Sequence, residues 1–365
     1  MIIDRNSPIP QYFQLQTWLI EQIDQGIFKP NDKIPTEEEI SRITGLARAT
    51  IRQAIQNLVN MGYLIRRRRL GTFVLERTED SEKITIIGVL VPDIRSGYAP
   101  ELARGAGDEA AKEKHSIILC NTDDSYAQAD FHANRLTELS VSGVIFVPTA
   151  ASDDKNRMIV EKFLRNNVPV VLADRYVPSL DVDYVTTNNF DGAHELTEYL
   201  INRGHVNIAI TLSDLVSTER QRLEGYKKAL MDHHVPIDQS LIFTNSDPFS
   251  EEKYAEYARM ILAQCGSFSA LFAGHDRIAY VVQSVAKDLG IHIPQDLSLV
   301  GYDDLNIMNP LPLPLTTMHQ PIYEMGQESM KVIMARIRGG LKETQQIVLK
   351  SHLIERESVN SKRGK

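Results

Sequence analysis

Two groups of side chains could do chemistry. The first lies within residues 48–56, where Arg48, Thr50, Arg52, Gln53 and Gln56 share one side of a helical period and Ile51, Ala54, Ile55 and Leu58 the other. Arginine, threonine and glutamine reach phosphate oxygens and hydrogen-bond base edges, which is the chemistry of duplex DNA recognition. Four consecutive arginines, Arg66 to Arg69, follow shortly after. The second group stands where apolar runs end: Asp93 and Arg95, Asn121 to Asp124, Asp174 and Arg175, His275 and Asp276, Asp303 and Asp304. Carboxylates accept paired hydrogen bonds and guanidinium groups donate them in a fixed fork, so this set suits a small polyhydroxylated ligand, a sugar first. Tyr98, Phe249 and Tyr302 are the rings available to cover its apolar face. Asp and Asn also cap helices and start turns, and Asp191 and Asp288 are assigned no more than that.

Signals for catalysis are lacking. The chain has no GxxxxGK[ST] loop, GxSxG elbow or HExxH, and His194-Glu195 has no second histidine at that spacing. His205, His233 and His234 gain no third ligand at a recognisable metal spacing. Cys120 and Cys265 form no CxxC and read as small buried hydrophobes rather than a disulfide or zinc framework. Neither an enzyme nor a bound cofactor or metal is expected. No apolar run approaches the roughly 18 residues of a membrane span, and Met1-Ile2-Ile3-Asp4-Arg5 turns polar too early for a secretory leader. The expectation is a cytoplasmic protein without membrane contact.

The elements that must position these groups fall into two modules. At 365 residues, 42% hydrophobic and 24% charged, the chain has globular composition and the length of two or three folded units. Its net charge of −8 is unevenly spread. Residues 1–75 hold ten Lys and Arg against seven Asp and Glu, a net +3 that leaves −11 for the rest, the balance of a small basic module joined to a large acidic one.

In the basic module, Tyr12, Leu15, Leu19 and Ile23 form the stripe of a first helix that Gly26 stops. Thr36 and Glu39 have capping-box spacing for a second, with Ile40 and Ile43 as its buried face. After Gly45 a third helix runs from about Arg48 to Asn60 and is closed by Gly62. Two short helices joined by a tight turn, then a hairpin across Arg66 to Arg69 and Gly71, predict a winged helix-turn-helix.

Residues 77–83 read as a polar linker. Beyond it, apolar runs at 84–91, 117–120, 144–147, 168–173, 208–212, 270–273 and 297–300 alternate with helical patterns, as βαβ units of a parallel sheet do. The remaining length is too large for one sheet, so two doubly wound lobes are expected, with ligand beyond the carboxyl ends of the strands.

Family resemblances sharpen both modules. Pro10-Gln11-Tyr12 to Leu15, Ile34-Pro35-Thr36-Glu37, Arg48-Ala49-Thr50-Ile51-Arg52-Gln53-Ala54 and Gly71-Thr72-Phe73-Val74 resemble the GntR-family winged-helix signature across residues 8–75. The resemblance implies DNA contacts from Arg48, Thr50 and Arg52, with Thr36 and Glu37 opening the preceding helix. Ala47 stands where the family has Ser, and Arg69 where it has Gly at the wing tip. There Arg68 and Arg69 are expected to reach the minor groove or phosphates, which attract guanidinium groups electrostatically.

The second module, residues 84–359, resembles the LacI/GalR effector domain, itself similar to periplasmic sugar-binding proteins. Val168-Pro169-Val170-Val171 to Asp174-Arg175, Thr186-Thr187-Asn188-Asn189, Gly204-His205, Arg222-Leu223-Glu224-Gly225-Tyr226, His275-Asp276-Arg277-Ile278-Ala279 and the stretch from Ile293 to Asp304 carry it. The resemblance implies effector contacts at Arg222, Asp276, Asp303 and Gln320, at Arg175 and Phe249, and at Asp93 and Asp123. Asn188 and His275 replace the family's usual Asp and Asn.

The fold expected is therefore α/β: a winged helix-turn-helix in residues 1–76 and a two-lobed, periplasmic-binding-protein-like, doubly wound parallel-sheet domain for effector binding and dimerisation. Joined in this order, the modules resemble the arabinose-responsive repressors of Gram-positive bacteria. The function expected is a homodimeric regulator, a repressor of carbohydrate-utilisation genes, whose affinity for operator DNA a small sugar changes. The alternatives are a transport-type sugar-binding protein and a regulator responding to a sugar phosphate or purine.

Overall fold

Local sequence signals set the helices of the first unit. The computed structural model describes residues 3, 10–60, 62–67, 70–75, 85–95, 97–213, 216–245, 251–305 and 313–362, in two units, Met1–Lys83 and Ile84–Lys365. The expected linker, 77–83, lies outside the described residues. Helix α1 (Gln11–Asp24) starts after Pro10 and buries Leu15 and Leu19. Helix α2 (Glu37–Thr44) has a complete capping box: Thr36 Oγ1 accepts from Glu39 N at 3.3 Å, and the Glu39 carboxylate accepts from Thr36 N at 2.7 Å. Those bonds from Thr36 hold the Glu39 carboxyl below its usual pKa. Helix α3 (Arg48–Asn60) turns Ile51, Ala54, Ile55 and Leu58 into a core shared with Leu15, Leu19 and Ile40. Ile43, expected in that core, is 59% exposed. Helix α2 is only eight residues long, and the left-handed turn at Gly45 (φ 67°) returns Leu46 to the core in its place. Strands β1 (Leu64–Arg67) and β2 (Gly71–Val74) pair antiparallel, Leu64 against Val74 and Arg67 against Gly71.

The second unit holds two six-stranded sheets. In the first, β3 (Ile86–Val91), β4 (Ser116–Asn121), β5 (Gly143–Phe146), β6 (Val170–Ala173), β7 (Asp183–Thr187) and β13 (Gln346–Leu349) pair in the order β13-β7-β6-β5-β3-β4, all parallel. In the second, β8 (Ile208–Ser213), β9 (Ile242–Asn245), β10 (Ala270–Ala273), β11 (Ser298–Asp303), β12 (Thr316–His319) and β14 (His352–Ile354) pair in the order β14-β12-β11-β10-β8-β9, only β14 antiparallel. Helices α4 (Ala99–Lys112) and α11 (Ile322–Ile337) cover one face of the first sheet, and α5 (Tyr126–Glu138) and α6 (Asp153–Arg165) the other. Helices α9 (Glu251–Leu262) and α10 (Asp276–Asp288) cover one face of the second, and α7 (Asn189–Asn202) and α8 (Ser217–Asp232) the other. Gly105 lets α4 meet α11 closely: a Cβ there would fall 2.0 Å from the Tyr323 carbonyl oxygen.

Among the described residues the chain passes between the lobes three times, from β7 to α7, from β12 to α11 and from β13 to β14. The apolar runs marked β3 to β6, β8, β10 and β11, whereas β7, β9, β12, β13 and β14 carried no such run. Cys120 is buried, but Cys265 is only partly so, because it sits in a surface turn after α9. Among the described residues no helix is long and apolar enough to cross a membrane.

Candidate functional site

On the first unit, α3 presents Arg48, Arg52, Gln53 and Gln56 to solvent, with Thr50 half-exposed. The acidic first turn of α2 faces them. Arg52 Nη2 lies 3.1 Å from Glu37 Oε2, Arg66 Nη2 3.9 Å from Glu37 Oε1, and Arg48 Nη2 3.7 Å from Glu38 Oε2. Thr36, as cap, fixes where that turn begins. In the hairpin the Arg67 guanidinium stacks on Phe73 at 4.9 Å. Gly71 has φ 120°, and a Cβ there would fall 2.6 Å from Lys33 Cε, so only glycine keeps both the turn and the lysine in place. Arg68 and Arg69 lie outside the described residues.

In the second unit a cavity of about 450 Å³ opens at the carboxyl ends of both sheets. The first lobe contributes Asp93 after β3, Tyr98 and Ala99 at the start of α4, Asp123 and Asp124 after β4, and Asp174 and Arg175 after β6. The second contributes Glu219 and Arg222 of α8, Tyr254 of α9, His275 before α10, Arg277, Asp303 at the end of β11, and Gln320 after β12. Of the residues expected to contact an effector, Asp93, Tyr98, Asp123, Arg175, Arg222, His275, Asp303 and Gln320 line this cavity. Phe249 lies outside the described residues.

Two expectations need correction. Asp276 does not line the cavity. It is buried beneath Gly301, where Oδ1 accepts from the Thr317 hydroxyl at 2.7 Å and Oδ2 from Leu305 N at 2.9 Å. It thus anchors the segment after β11. Tyr302 is no platform either: its ring lies in the core, and the Arg222 guanidinium covers it at 3.7 Å.

Arg222 is held from several sides. It donates to Asn189 Oδ1 at 2.9 Å and to the Gly274 carbonyl at 2.6 Å, and it lies 3.4 Å from Asp303 Oδ1. Arg175 donates to Asp124 at 2.6 Å and to the Pro148 carbonyl at 2.9 Å. Burial raises the carboxyls of Asp174, Glu219 and Asp303 above their usual range, against the pull of the neighbouring arginines. Burial, then the charges of Arg222, Arg277 and Arg175, pushes His275 down to about 3, so it is neutral at pH 7. Its Nδ1 accepts from Ile278 N at 3.3 Å, which caps α10 and leaves the proton on Nε2.

Glu219, Tyr254 and Arg277 were not singled out in the sequence. Glu219 Oε2 accepts from Ser213 N at 2.5 Å. It lies in Ser-Thr-Glu-Arg-Gln-Arg, a segment with the composition of a solvated helix face; the signal that could have found it is its position one turn before Arg222.

Comparison with known proteins agrees with both units. Residues 11–74 match the model of bacterial regulatory proteins of the gntR family, and residues 197–359 that of the periplasmic binding protein-like domain. The chain is 30% identical over 329 residues to the HTH-type transcriptional regulator DegA of Bacillus subtilis, covering 90% of this chain and 94% of that one. It is 27% identical over 362 residues to the arabinose metabolism transcriptional repressor of Geobacillus stearothermophilus, covering 97% and 99% of the two chains. The structure of a LacI family transcriptional regulator from Enterococcus faecium with bound ribose matches with a TM-score of 0.67 at 28% identity, over 76% of this chain and all of that one. The chain belongs to the bacterial DNA-binding transcription regulators of LacI type, with a GntR-type winged helix as its DNA-binding domain.

Proposed function

We propose that this regulator is a repressor of carbohydrate-utilisation genes and that a small sugar in the interlobe cavity changes its affinity for operator DNA. The observation that carries the reading is the cavity. At the carboxyl ends of two parallel sheets it gathers donor-only guanidinium groups, acceptor carboxylates, an amide and aromatic rings within the volume of a small ligand. Sugar hydroxyls donate and accept at once, so such a mixed lining satisfies them. The contacts proposed are Arg222, Asp303, Gln320, Arg175, Asp93, Asp123, His275 and Tyr98, with Glu219 added from the structure.

At the DNA, Arg48, Thr50, Arg52 and Gln53 supply base and phosphate contacts, with Arg68, Arg69 and Gly71 at the wing; Thr36 and Glu37 position them. A homodimer on a pseudopalindrome gives two such helices one helical turn or a multiple apart. The protein acts in the cytoplasm, where its operator is. A ligand shifts operator affinity only by its differential affinity for the two lobe arrangements, and a coupling of about 1–3 kcal/mol corresponds to about 5–150-fold.

The test is a thermal-shift panel of pentoses, hexoses, disaccharides, sugar phosphates and purines on the purified full chain. A free sugar at about 100 times its Kd stabilises by about 2.7 kcal/mol, and the hit then has to change operator affinity in a titration. Stabilisation by a purine or sugar phosphate alone overturns the sugar assignment. A hit that leaves operator affinity untouched overturns the coupling.

A further inference from the structure

We propose that the cavity is tied to the passages between the lobes by a closed ring of hydrogen bonds, with Thr187, which is not part of the cavity wall, as the positioning residue at its joint. This rests on the reading of the cavity as the effector site. Arg222 Nε donates to Asn189 Oδ1 at 2.9 Å. Asn189 Nδ2 donates to Thr187 Oγ1 at 3.2 Å and to the Thr187 carbonyl at 3.1 Å. The Thr187 hydroxyl donates to Gln320 Oε1, and Gln320 Nε2 donates to Asp303 Oδ1 at 2.6 Å. Arg222 Nη2, 3.4 Å from the same oxygen, closes the ring. All five side chains are buried.

Every bond of the ring has a defined donor and acceptor. Arginine only donates, so Asn189 must present its oxygen to Arg222 and its amide nitrogen to Thr187. The Thr187 hydroxyl, accepting from Asn189, donates onward to Gln320 Oε1, and Gln320 turns its nitrogen to Asp303. Flipping the Asn189 amide would turn its nitrogen toward the Arg222 donor, two donors face to face among buried side chains. A ligand that claims Asp303 Oδ1 or turns Arg222 therefore acts on the ring as a whole.

The ring also spans the passages. Thr187 ends β7 of the first sheet, Asn189 begins α7 on the second, and Gln320 lies in the connection from β12 to α11. Between them, Asn188 N donates to the Leu349 carbonyl at 3.0 Å, and Asn188 Oδ1 accepts from Ser351 N at 2.7 Å. Three consecutive residues, Thr187, Asn188 and Asn189, thus join all three passages, while Arg222, Asp303 and Gln320 face the cavity. The residue where the family usually has Asp is the one whose side chain reaches the third passage.

Hydrogen exchange of the full chain without added ligand tests this. In Thr187→Val, the peptide covering residues 348–353 is expected to exchange about tenfold faster, the loss of about one buried hydrogen bond. Thr187→Ser, which keeps the hydroxyl, exchanges as wild type. Arg222→Gln alone also speeds that peptide, and adding it to Thr187→Val brings no further change, because the ring is already cut. Peptides of α5 control for global unfolding. Wild-type exchange in Thr187→Val, or rate factors that multiply in the double variant, overturns the proposal. Should Thr187→Val not fold, Gln320→Met cuts the next bond and the same cycle applies. The experiment uses no ligand, so its failure leaves the sugar reading standing, and an empty sugar panel leaves its outcome readable.

Discussion

Arg52 and Glu37 face one another across the helix-turn-helix, Nη2 to Oε2 at 3.1 Å and Nε to Oε1 at 3.4 Å, and Arg66 of the hairpin approaches the same carboxylate. One acid in the first turn of α2 thus holds an arginine of the recognition helix and an arginine of the wing. Both partners are substantially exposed, so the pair adds little to stability, and its weight lies in orientation. Glu37→Gln is expected to leave folding nearly unchanged and to strengthen binding to random duplex DNA. The ratio of operator to random-sequence affinity should fall, and the salt dependence should steepen as freed arginines meet phosphates. Titrations of both duplexes at several salt concentrations decide it; an unchanged ratio means Glu37 orients nothing.

On the proposed reading of the DNA face, Arg52 contributes to specificity. Arg52→Ala should weaken operator binding by about 1–3 kcal/mol for each lost base contact, and should leave the thermal shift produced by a sugar hit at its wild-type size. Equal weakening on operator and random DNA would assign Arg52 to phosphate instead.

How far the sequence foretold this can be read from particular residues. Leu15, Leu19 and the Ile51 to Leu58 stripe are periodic, and Thr36 and Glu39 have fixed capping geometry, so the first unit was legible from local rules. Strands β3, β8, β10 and β11 are buried on both faces and therefore appear as apolar runs. Strands β7 and β12 do not, because Thr186, Thr187, Thr316 and Thr317 use buried hydroxyls to bond neighbouring segments. Strand ends pointed to the cavity for the same topological reason that ligands bind there. What spacing could not show was depth: Asp276 and His275 are adjacent, yet one is sealed under Gly301 and the other lines the cavity.

Arg222 and Asp303 should separate sensing from DNA binding. Arg222→Ala leaves the Asp303 carboxylate buried without its cation and removes the donors to Asn189 Oδ1 and the Gly274 carbonyl. Breaking a buried pair from one side costs about 3–5 kcal/mol, so the denaturation midpoint of the second unit should fall markedly. Asp303→Asn keeps the shape and one acceptor oxygen, and should cost less. Both variants should lose the response to a sugar hit while binding operator as wild type at a temperature where they remain folded. A normal response in both would place the ligand elsewhere.

Asp276 should leave a signature in the pH dependence of stability. Burial pushes its carboxyl up to about 7, and the hydrogen bonds from Thr317 and Leu305 N offset only part of that. In the unfolded chain an Asp titrates near about 3.9. Between the two values the folded protein keeps a proton that the unfolded chain has lost, so the native state binds more protons and stability falls as pH rises through this window. The contribution is fully present below the unfolded value and is gone once pH passes about 7. His275, held neutral, works in the opposite sense below its unfolded pKa near about 6.5, while Asp174, Glu219 and Asp303, also raised by burial, work in the same sense as Asp276, so the wild-type curve alone mixes them. Comparison with Asp276→Asn cancels the groups common to both and leaves the titration of Asp276 together with its effect on the nearby Asp303 carboxyl. The stability of wild type relative to Asp276→Asn should decline between pH 5 and 7 by up to about 1.4 kcal/mol per pH unit and then level off. Denaturant titrations at half-unit pH steps measure it, and parallel curves across that range would mean that Asp276 is ionised in the folded protein throughout.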